Sequence, residues 1–295
     1  VQADIRLYGI RLPLVKEGDD LARLIVNSFG NVEEGDVLVV TSKVISKAKG
    51  YLIDVENVRP SKTAKVISFI SGKPAWFVEL CLNNSKGIFA CIPIYELLSK
   101  PEVLRIIAED EDGALEVLRK DRAMLVMEMA DGRLASDSGI DLSNLPAGIA
   151  AYPPPNPDEE AKEIRERIRE LTGVDVAVIV TDTEFSLTRF GSVDIAIGCS
   201  GIRPVESKFG SRDLYGKRKF GGVDMIADEL AAAAALLMRQ TDEGVPVVLI
   251  RGVRYERGEI GISRTNIPRN VLGRGLLRSL LCTLAIRFFA LFRRG

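Results

Sequence analysis

Two apolar runs in close succession, 176–180 and 193–197, constrain this chain more than any other feature. An unbroken run of Val, Ala and Ile bounded by polar residues reads as a strand buried on both faces. The first run delivers Thr181, Asp182 and Thr183 at its end. An acid between two hydroxyls at the mouth of a buried strand suits a hard cation, because Mg²⁺ and Mn²⁺ prefer oxygen ligands. An aspartate in that place also serves as a plain turn former or helix cap.

Histidine is absent from the 295 residues. That excludes Ser-His-Asp and Cys-His nucleophiles and every His-ligated zinc site. Chemistry must then come from carboxylates, Lys, Arg, hydroxyls or a metal. The net charge of -1 gives no overall drive toward nucleic acid. Cys81, Cys91, Cys199 and Cys282 fall at no metal-ligand spacing and sit in apolar surroundings, so they read as small buried hydrophobes in a reducing compartment. The sequence opens without a secretory leader pattern, and a cytoplasmic protein is expected.

Along the chain, 12–21 reads as an extended segment turning at Gly18 into a helix that begins near Asp19. Gly35-Asp36 introduces a strand over 37–41, followed by a loop bearing Ser42, Lys43, Ser46 and Lys47. Hydroxyls and lysines after a buried strand can grip phosphate oxygens, and they equally make a solvated basic turn. Ser61 caps a helix to Phe69, and Lys73-Pro74 starts another reaching about Leu82. Spacing over 101–120 predicts two surface helices split by the acids 109–112. A strand over 123–129 turns back at Ala130-Asp131-Gly132. The stretch 136–144 is dense in oxygen ligands but lacks EF-hand spacing; Asp141 is either a metal ligand or part of a polar loop. A stiff Pro-rich connector, 152–157, leads into a helix with Asn156 as cap, Glu159 as its capping-box partner and Gly173 as terminator. A buried helix over 225–238 and a strand over 245–250 flank a polar loop, 239–244, that can reach the same site.

From Arg251 onward ten arginines face only Glu256 and Glu259. The apolar stretch 276–292, interrupted by Arg278 and Arg287, reads first as a helix buried in a dimer. Second comes a membrane-surface anchor, which would make the protein peripheral to a membrane, and last a spanning helix.

Several pieces together resemble one family, the coenzyme F420-0:gamma-glutamyl ligases. They are LPLVKEGDDL at 12–21, GDVLVVTSKVISKAKG at 35–50, GKPAWFVEL at 72–80, SGIDLSN at 138–144 and PPPNPDEEAKEIRERIRELTG ending at Gly173. VIVTDT to Thr183, RDLYG to Gly216, ADELAAAAALLM to Met238 and GVPVVLIRG to Gly252 continue the likeness in order. The resemblance implies an α/β fold, mixed with α+β, that is two-lobed and forms an intertwined homodimer. Residues 1–90 with 223–262 form a nucleotide-side lobe, 91–222 a second lobe carrying Asp141 and Asp182, with 93–120 an insertion and 263–295 a basic apolar extension. It further implies a GTP-dependent ligase that joins L-glutamate to a phospholactyl deazaflavin precursor through an acyl phosphate, with two Mg²⁺ or Mn²⁺ sites and K⁺ as a further candidate. The alternative is a non-catalytic relative acting as a binding or scaffold dimer.

By position, Leu12, Pro13, Leu14, Val15, Ser42, Lys47 and Asn144 resemble the nucleotide contacts. The loop Met238, Arg239, Gln240, Thr241, Asp242, Glu243, Gly244 and Val245 resembles another part of that set. Asp141, Asp182 and Thr183 are similar to the family's metal ligands, with Gln240 where a second-metal ligand is expected, and Asp141, Asp182 and Lys47 carry the chemistry. Phosphoryl transfer is mainly positioning and charge neutralisation, so two cations and a lysine suffice without histidine. The sequence departs from the family where Asn-Gly-Arg-x-Phe-Arg-Arg-Gly becomes 184–191, where Asn-Ala becomes Asp137-Ser138, and where Arg239 replaces a common Gly. Fewer arginines weaken anion binding; the added acids Glu184 and Asp137 are expected to favour metal and repel phosphate.

Overall fold

A computed structural model describes residues 4–186 and 188–291; Leu187 and Phe292, both within stretches discussed above, lie outside the described residues. The chain opens with β1 (Arg6–Ile10), α1 (Leu21–Phe29), β2 (Val37–Thr41), α2 (Ser42–Lys49) and β3 (Leu52–Asp54). Next come α3 (Lys62–Ser71), α4 (Ala75–Asn83) and β4 (Gly87–Ile92). Three short helices, α5 (Ile94–Leu98), α6 (Pro101–Ile107) and α7 (Glu111–Lys120), lead to β5 (Met124–Glu128), β6 (Leu134–Ser136) and β7 (Ile149–Ala151). The remainder is α8 (Pro157–Thr172), β8 (Ala177–Phe185), β9 (Ser192–Ser200), β10 (Glu206–Ser207), β11 (Val223–Asp224), α9 (Ile226–Met238), β12 (Val247–Arg251) and α10 (Arg269–Leu291).

The main sheet has the order β1-β12-β2-β8-β9, with β2 and β8 parallel and the other pairs antiparallel. Alternate residues of its inner strands go to opposite faces, as strand geometry requires. Leu38, Val40, Val178 and Val180 pack with Ile25, Ile45 and Ile168 from α1, α2 and α8. Val37, Val39, Ala177 and Ile179 pack with Ala227, Ala231 and Ala234 of α9. At roughly 1.5–3 kcal/mol per fully buried Val, Leu or Ile, these central strands are the most firmly held part of the molecule. A smaller sheet, β4-β5-β6, packs Leu125, Met127 and Ala135 on Ala64 and Phe77 of α3 and α4.

β8 pairs with β2 residue by residue, so Asp182 belongs to the main sheet, and α3 and α4 pack with β5 and β6. Strand pairing between distant segments, which periodicity does not encode, decides the grouping. The segment 93–120 spans the connection between the antiparallel neighbours β4 and β5.

Four local expectations are corrected. Thr181, Asp182 and Thr183 lie inside β8, which continues past a bulge at Val180/Thr181 to pair with β9. The presumed loop after β2 is the helix α2, whose Val44, Ile45 and Ala48 face the core. Asn156 stands at the start of α8 but its side chain makes no capping bond. Asp158 in the first turn accepts the N–H groups of Cys199 at 2.8 Å and Ile262 at 2.9 Å instead. That contact brings β9 so close that a Cβ on Gly198 would lie 2.2 Å from the Pro157 carbonyl carbon, so only glycine fits. Finally, Cys81 and Cys199 are buried as expected, whereas Cys91 and Cys282 are exposed.

Candidate functional site

A cleft of about 660 Å³ opens beyond the C-terminal ends of the parallel strands β2 and β8, the usual place for ligands in sheets of this kind. All the site residues singled out from the sequence line it: 12–15, Ser42, Lys47, Asp141, Asn144, Asp182, Thr183 and 238–245. Three walls meet there, from the β1–α1 connection, the 136–144 loop and the α9–β12 loop.

The first turn of α2 forms one side of the cleft, through Ser42, Lys43 and Val44. Its leading amides have no intrahelical partners, and their partial positive charge makes this end receptive to anions. Two ammonium groups reinforce it. Lys47 donates to the Asn144 carbonyl at 2.8 Å, and Lys43 lies 2.8 Å from Asp141 and donates to Ser143 Oγ at 2.7 Å. Burial and the neighbouring Lys43 charge pull the Lys47 pKa down, with Asp141 opposing. Asn144, in the left-handed region at φ 54°, donates to Thr241 O at 2.7 Å and so ties two walls together. The positive end is therefore preorganised before any ligand arrives.

Two carboxylates face this basic side. Asp141 Oδ1 accepts from the Ser143 amide at 2.7 Å and hydroxyl at 2.8 Å, while Oδ2 pairs with Lys43. Asp182 is different: Oδ1 accepts the Thr183 amide at 3.0 Å, but the buried Oδ2 has no hydrogen-bond partner. Gly139 comes so near that an added Cβ would stand 3.2 Å from that oxygen. Burial pushes the Asp182 pKa up to about 7; the Arg133 charge works against this, and the Glu184 and Asp141 charges add to it. A buried carboxylate oxygen without a donor is costly, and a cation relieves that cost.

Thr183 and Gln240 meet at a residue that the sequence reading overlooked. Asp194 Oδ1, on a side chain only 5% exposed, accepts from Thr183 Oγ1 at 2.8 Å and Gln240 Nε2 at 3.3 Å. Gln240 Nε2 also donates to Thr183 Oγ1 at 3.2 Å. Burial raises the Asp194 pKa and these two donors hold it down. Thr183 and Asp194 are direct cross-strand partners in β8 and β9. The available signal was an acid inside the apolar run 193–197, at the position facing Thr183 once the hairpin is folded.

Among the described residues no three His, Cys, Asp or Glu side chains gather as a metal-binding group of their own. That still fits Mg²⁺ or Mn²⁺ in a nucleotide site, where one or two carboxylates hold the ion and phosphates and waters complete its shell. The oxygen donors Asp141, Asp182, Thr183 and Gln240 suit such an ion, and the unpartnered Asp182 Oδ2 is the atom that fits it best.

The sequence profile of the F420-0:gamma-glutamyl ligase family matches residues 9–252. The chain belongs to that family. It is 40% identical over 242 residues to the coenzyme F420:L-glutamate ligase of Archaeoglobus fulgidus, covering 82% of this chain and 85% of the relative. The protein of the same name from Methanopyrus kandleri is 36% identical over 265 residues, 90% of each chain, and that from Methanothermobacter thermautotrophicus 35% over 274, covering 90% of this chain and 97% of the relative.

Within this F420-0:gamma-glutamyl ligase family member, the departures turn out to have structural employment. Asp137 was expected to act on metal or phosphate, but its Oδ1 accepts the Leu125 amide at 2.9 Å and its Oδ2 accepts Lys73 Nζ at 3.0 Å. Asp137 and Ser138 both adopt left-handed backbone, at φ 49° and 58°. Asp137 nevertheless lines the cleft, whereas Glu184 does not: its carboxylate accepts the amide and hydroxyl of Ser136, at 3.1 and 2.8 Å, fastening β8 to β6. Phe185 does not line the cleft, whereas Arg239 does. Arg239 sits at φ 57°, ψ -170°, a region that favours glycine and strains any other residue.

Proposed function

We propose that this chain is a GTP- and divalent-metal-dependent ligase that forms a γ-glutamyl amide on a phospholactyl deazaflavin, a coenzyme F420 precursor, through an acyl phosphate. The observation that carries the reading is the meeting, in one cleft, of a basic helix start and the unpartnered Asp182 Oδ2. The names of the relatives, each a coenzyme F420:L-glutamate ligase, supply the substrate class.

An amide does not form from a free carboxylate and an amine in water without activation. Attack of the acceptor carboxylate on the γ-phosphorus of GTP breaks the bond to GDP and gives an acyl phosphate. The glutamate amine then adds to that carbonyl, phosphate leaves, and the amine gives up its proton. Lys43, Lys47 and the first turn of α2 bind and orient the triphosphate. Asp182, with Asp141, Thr183 and Gln240, would hold a divalent cation, which would supply neutralisation of the phosphate charge. Asn144, bonded to Thr241, keeps the two loops closed around the nucleotide. Exposed Leu214, Tyr215 and Phe220 between β10 and β11 offer apolar surface for the homodimer that this reading includes.

The test is incubation with the precursor, L-glutamate, GTP and Mn²⁺, followed by mass analysis. A product heavier by one glutamyl residue, absent with Asp182→Ala, supports the proposal. If no product forms while GTP and Mn²⁺ still bind, the chain is a binding member of its family and this function is refuted.

A further inference from the structure

The family profile ends at residue 252, upstream of α10. Its base is held: Asn266 Nδ2 donates to Asp131 O at 3.2 Å, and the Val271 amide bonds Pro268 O at 2.9 Å. Beyond that base, Leu276, Leu277, Leu280, Leu281 and Leu284 recur at spacings that put them on one side of a helix. Each is 52–61% exposed. A contiguous leucine face left in water marks an interaction surface.

Charge selects the partner. From residue 260 onward the sequence holds seven arginines and no Asp, Glu or Lys, in a chain whose net charge is only -1. Arg274 and Arg278 are exposed along the flank of the leucine face, and Arg287 is exposed one turn beyond it. A second α10 would bring the same arginines and no carboxylate to meet them, whereas paired helices that dimerise set opposite charges beside the apolar seam. An anionic bilayer offers hydrocarbon to the leucines and phosphate to the guanidinium groups at the same depth. No helix among the described residues is long and apolar enough to cross a membrane, so the fit is to its surface.

We propose that α10 is an interfacial anchor that lays its leucine face into the headgroup region of an anionic lipid membrane. The test uses the full chain with vesicles of phosphatidylcholine alone and of phosphatidylcholine mixed with phosphatidylglycerol, read by co-sedimentation. Binding should be confined to the mixed vesicles and weaken as salt rises. Reversing three charges in R274E/R278E/R287E should lower the partition by on the order of a hundredfold. L277S/L280S/L284S should abolish it, with the thermal response to GTP and Mn²⁺ unchanged in both variants. Absence of binding to mixed vesicles overturns the proposal, as does binding that both variants retain. A concentration-dependent dimer that L277S/L280S/L284S alone dissolves, without vesicle binding, would make α10 a contact between copies and overturn it too.

Discussion

Replacing Lys73 by Met removes a buried cation that fixes Asp137 at the start of the Asp141 loop. The Lys73 side chain is 0% exposed, and Nζ donates to Asp121 Oδ1, to Ala123 O at 2.7 Å and to Asp137 Oδ2 at 3.0 Å. All three ammonium hydrogens are thereby used. Asp121, 41% exposed, regains water when the lysine goes. Asp137, 21% exposed, keeps only the Leu125 amide and becomes an uncompensated buried charge. Breaking a buried pair this way costs about 3–5 kcal/mol, which for a chain of this size lowers Tm by roughly 10 °C. Burial already raises the Asp137 pKa, with Lys73 opposing; without Lys73 it rises further. A raised acid is held more tightly by the folded state, so stability falls as pH climbs through that window. The loss in Lys73→Met should thus be smaller at pH near 5 than near 8. Adding Asp137→Asn should recover about half of it by removing the stranded charge. Thermal and urea unfolding at both pH values measure these changes. A single-variant loss below about 1 kcal/mol, or a double variant less stable than Lys73→Met, refutes the reasoning.

Asp194→Asn should leave the fold intact yet weaken Mn²⁺ binding about 10–100-fold, since Thr183 and Gln240 lose their shared charged acceptor; titration calorimetry with GTP present reads this. Arg239→Gly relieves the strained backbone at φ 57°, ψ -170° and should stabilise the chain by about 1 kcal/mol, visible as a Tm a few degrees higher. Paired hydrogen bonds from Arg165 lower the Asp175 pKa. A depressed acid contributes stability above its unfolded pKa and loses it as pH falls through the folded value. Arg165→Gln should therefore shift acid unfolding to higher pH, followed by circular dichroism.

Strands β2, β8, β9 and β12 and helices α1, α8 and α9 are legible because their apolar spacing and end residues agree: Asp20 accepts from Arg23 at the start of α1, and Gly30 and Gly173 close α1 and α8 with left-handed backbone; β1 carries no such signal. The α2 segment reads as a loop from its sequence because Ser and Lys dominate it, although Val44, Ile45 and Ala48 have helical spacing. The loops that meet at the cleft came from family resemblance, and distances between them were not available from composition or period. Asp194 was hidden for a different reason. An acid in an apolar run is averaged away by any hydrophobic count, and only the β8–β9 register shows that it faces Thr183. The acids that replace family residues at 137 and 184 have partners, Lys73 and Ser136, 64 and 48 residues distant along the chain. Of the two, Asp137 lines the cleft and Glu184 does not.

The most direct measurement is anomalous diffraction at the manganese edge from crystals grown with Mn²⁺ and a non-hydrolysable GTP analogue. The account predicts a peak within about 2.0–2.2 Å of Asp182 Oδ2, inside the cleft and beside the triphosphate. Manganese located away from Asp182, or a nucleotide bound elsewhere on the surface, would contradict it.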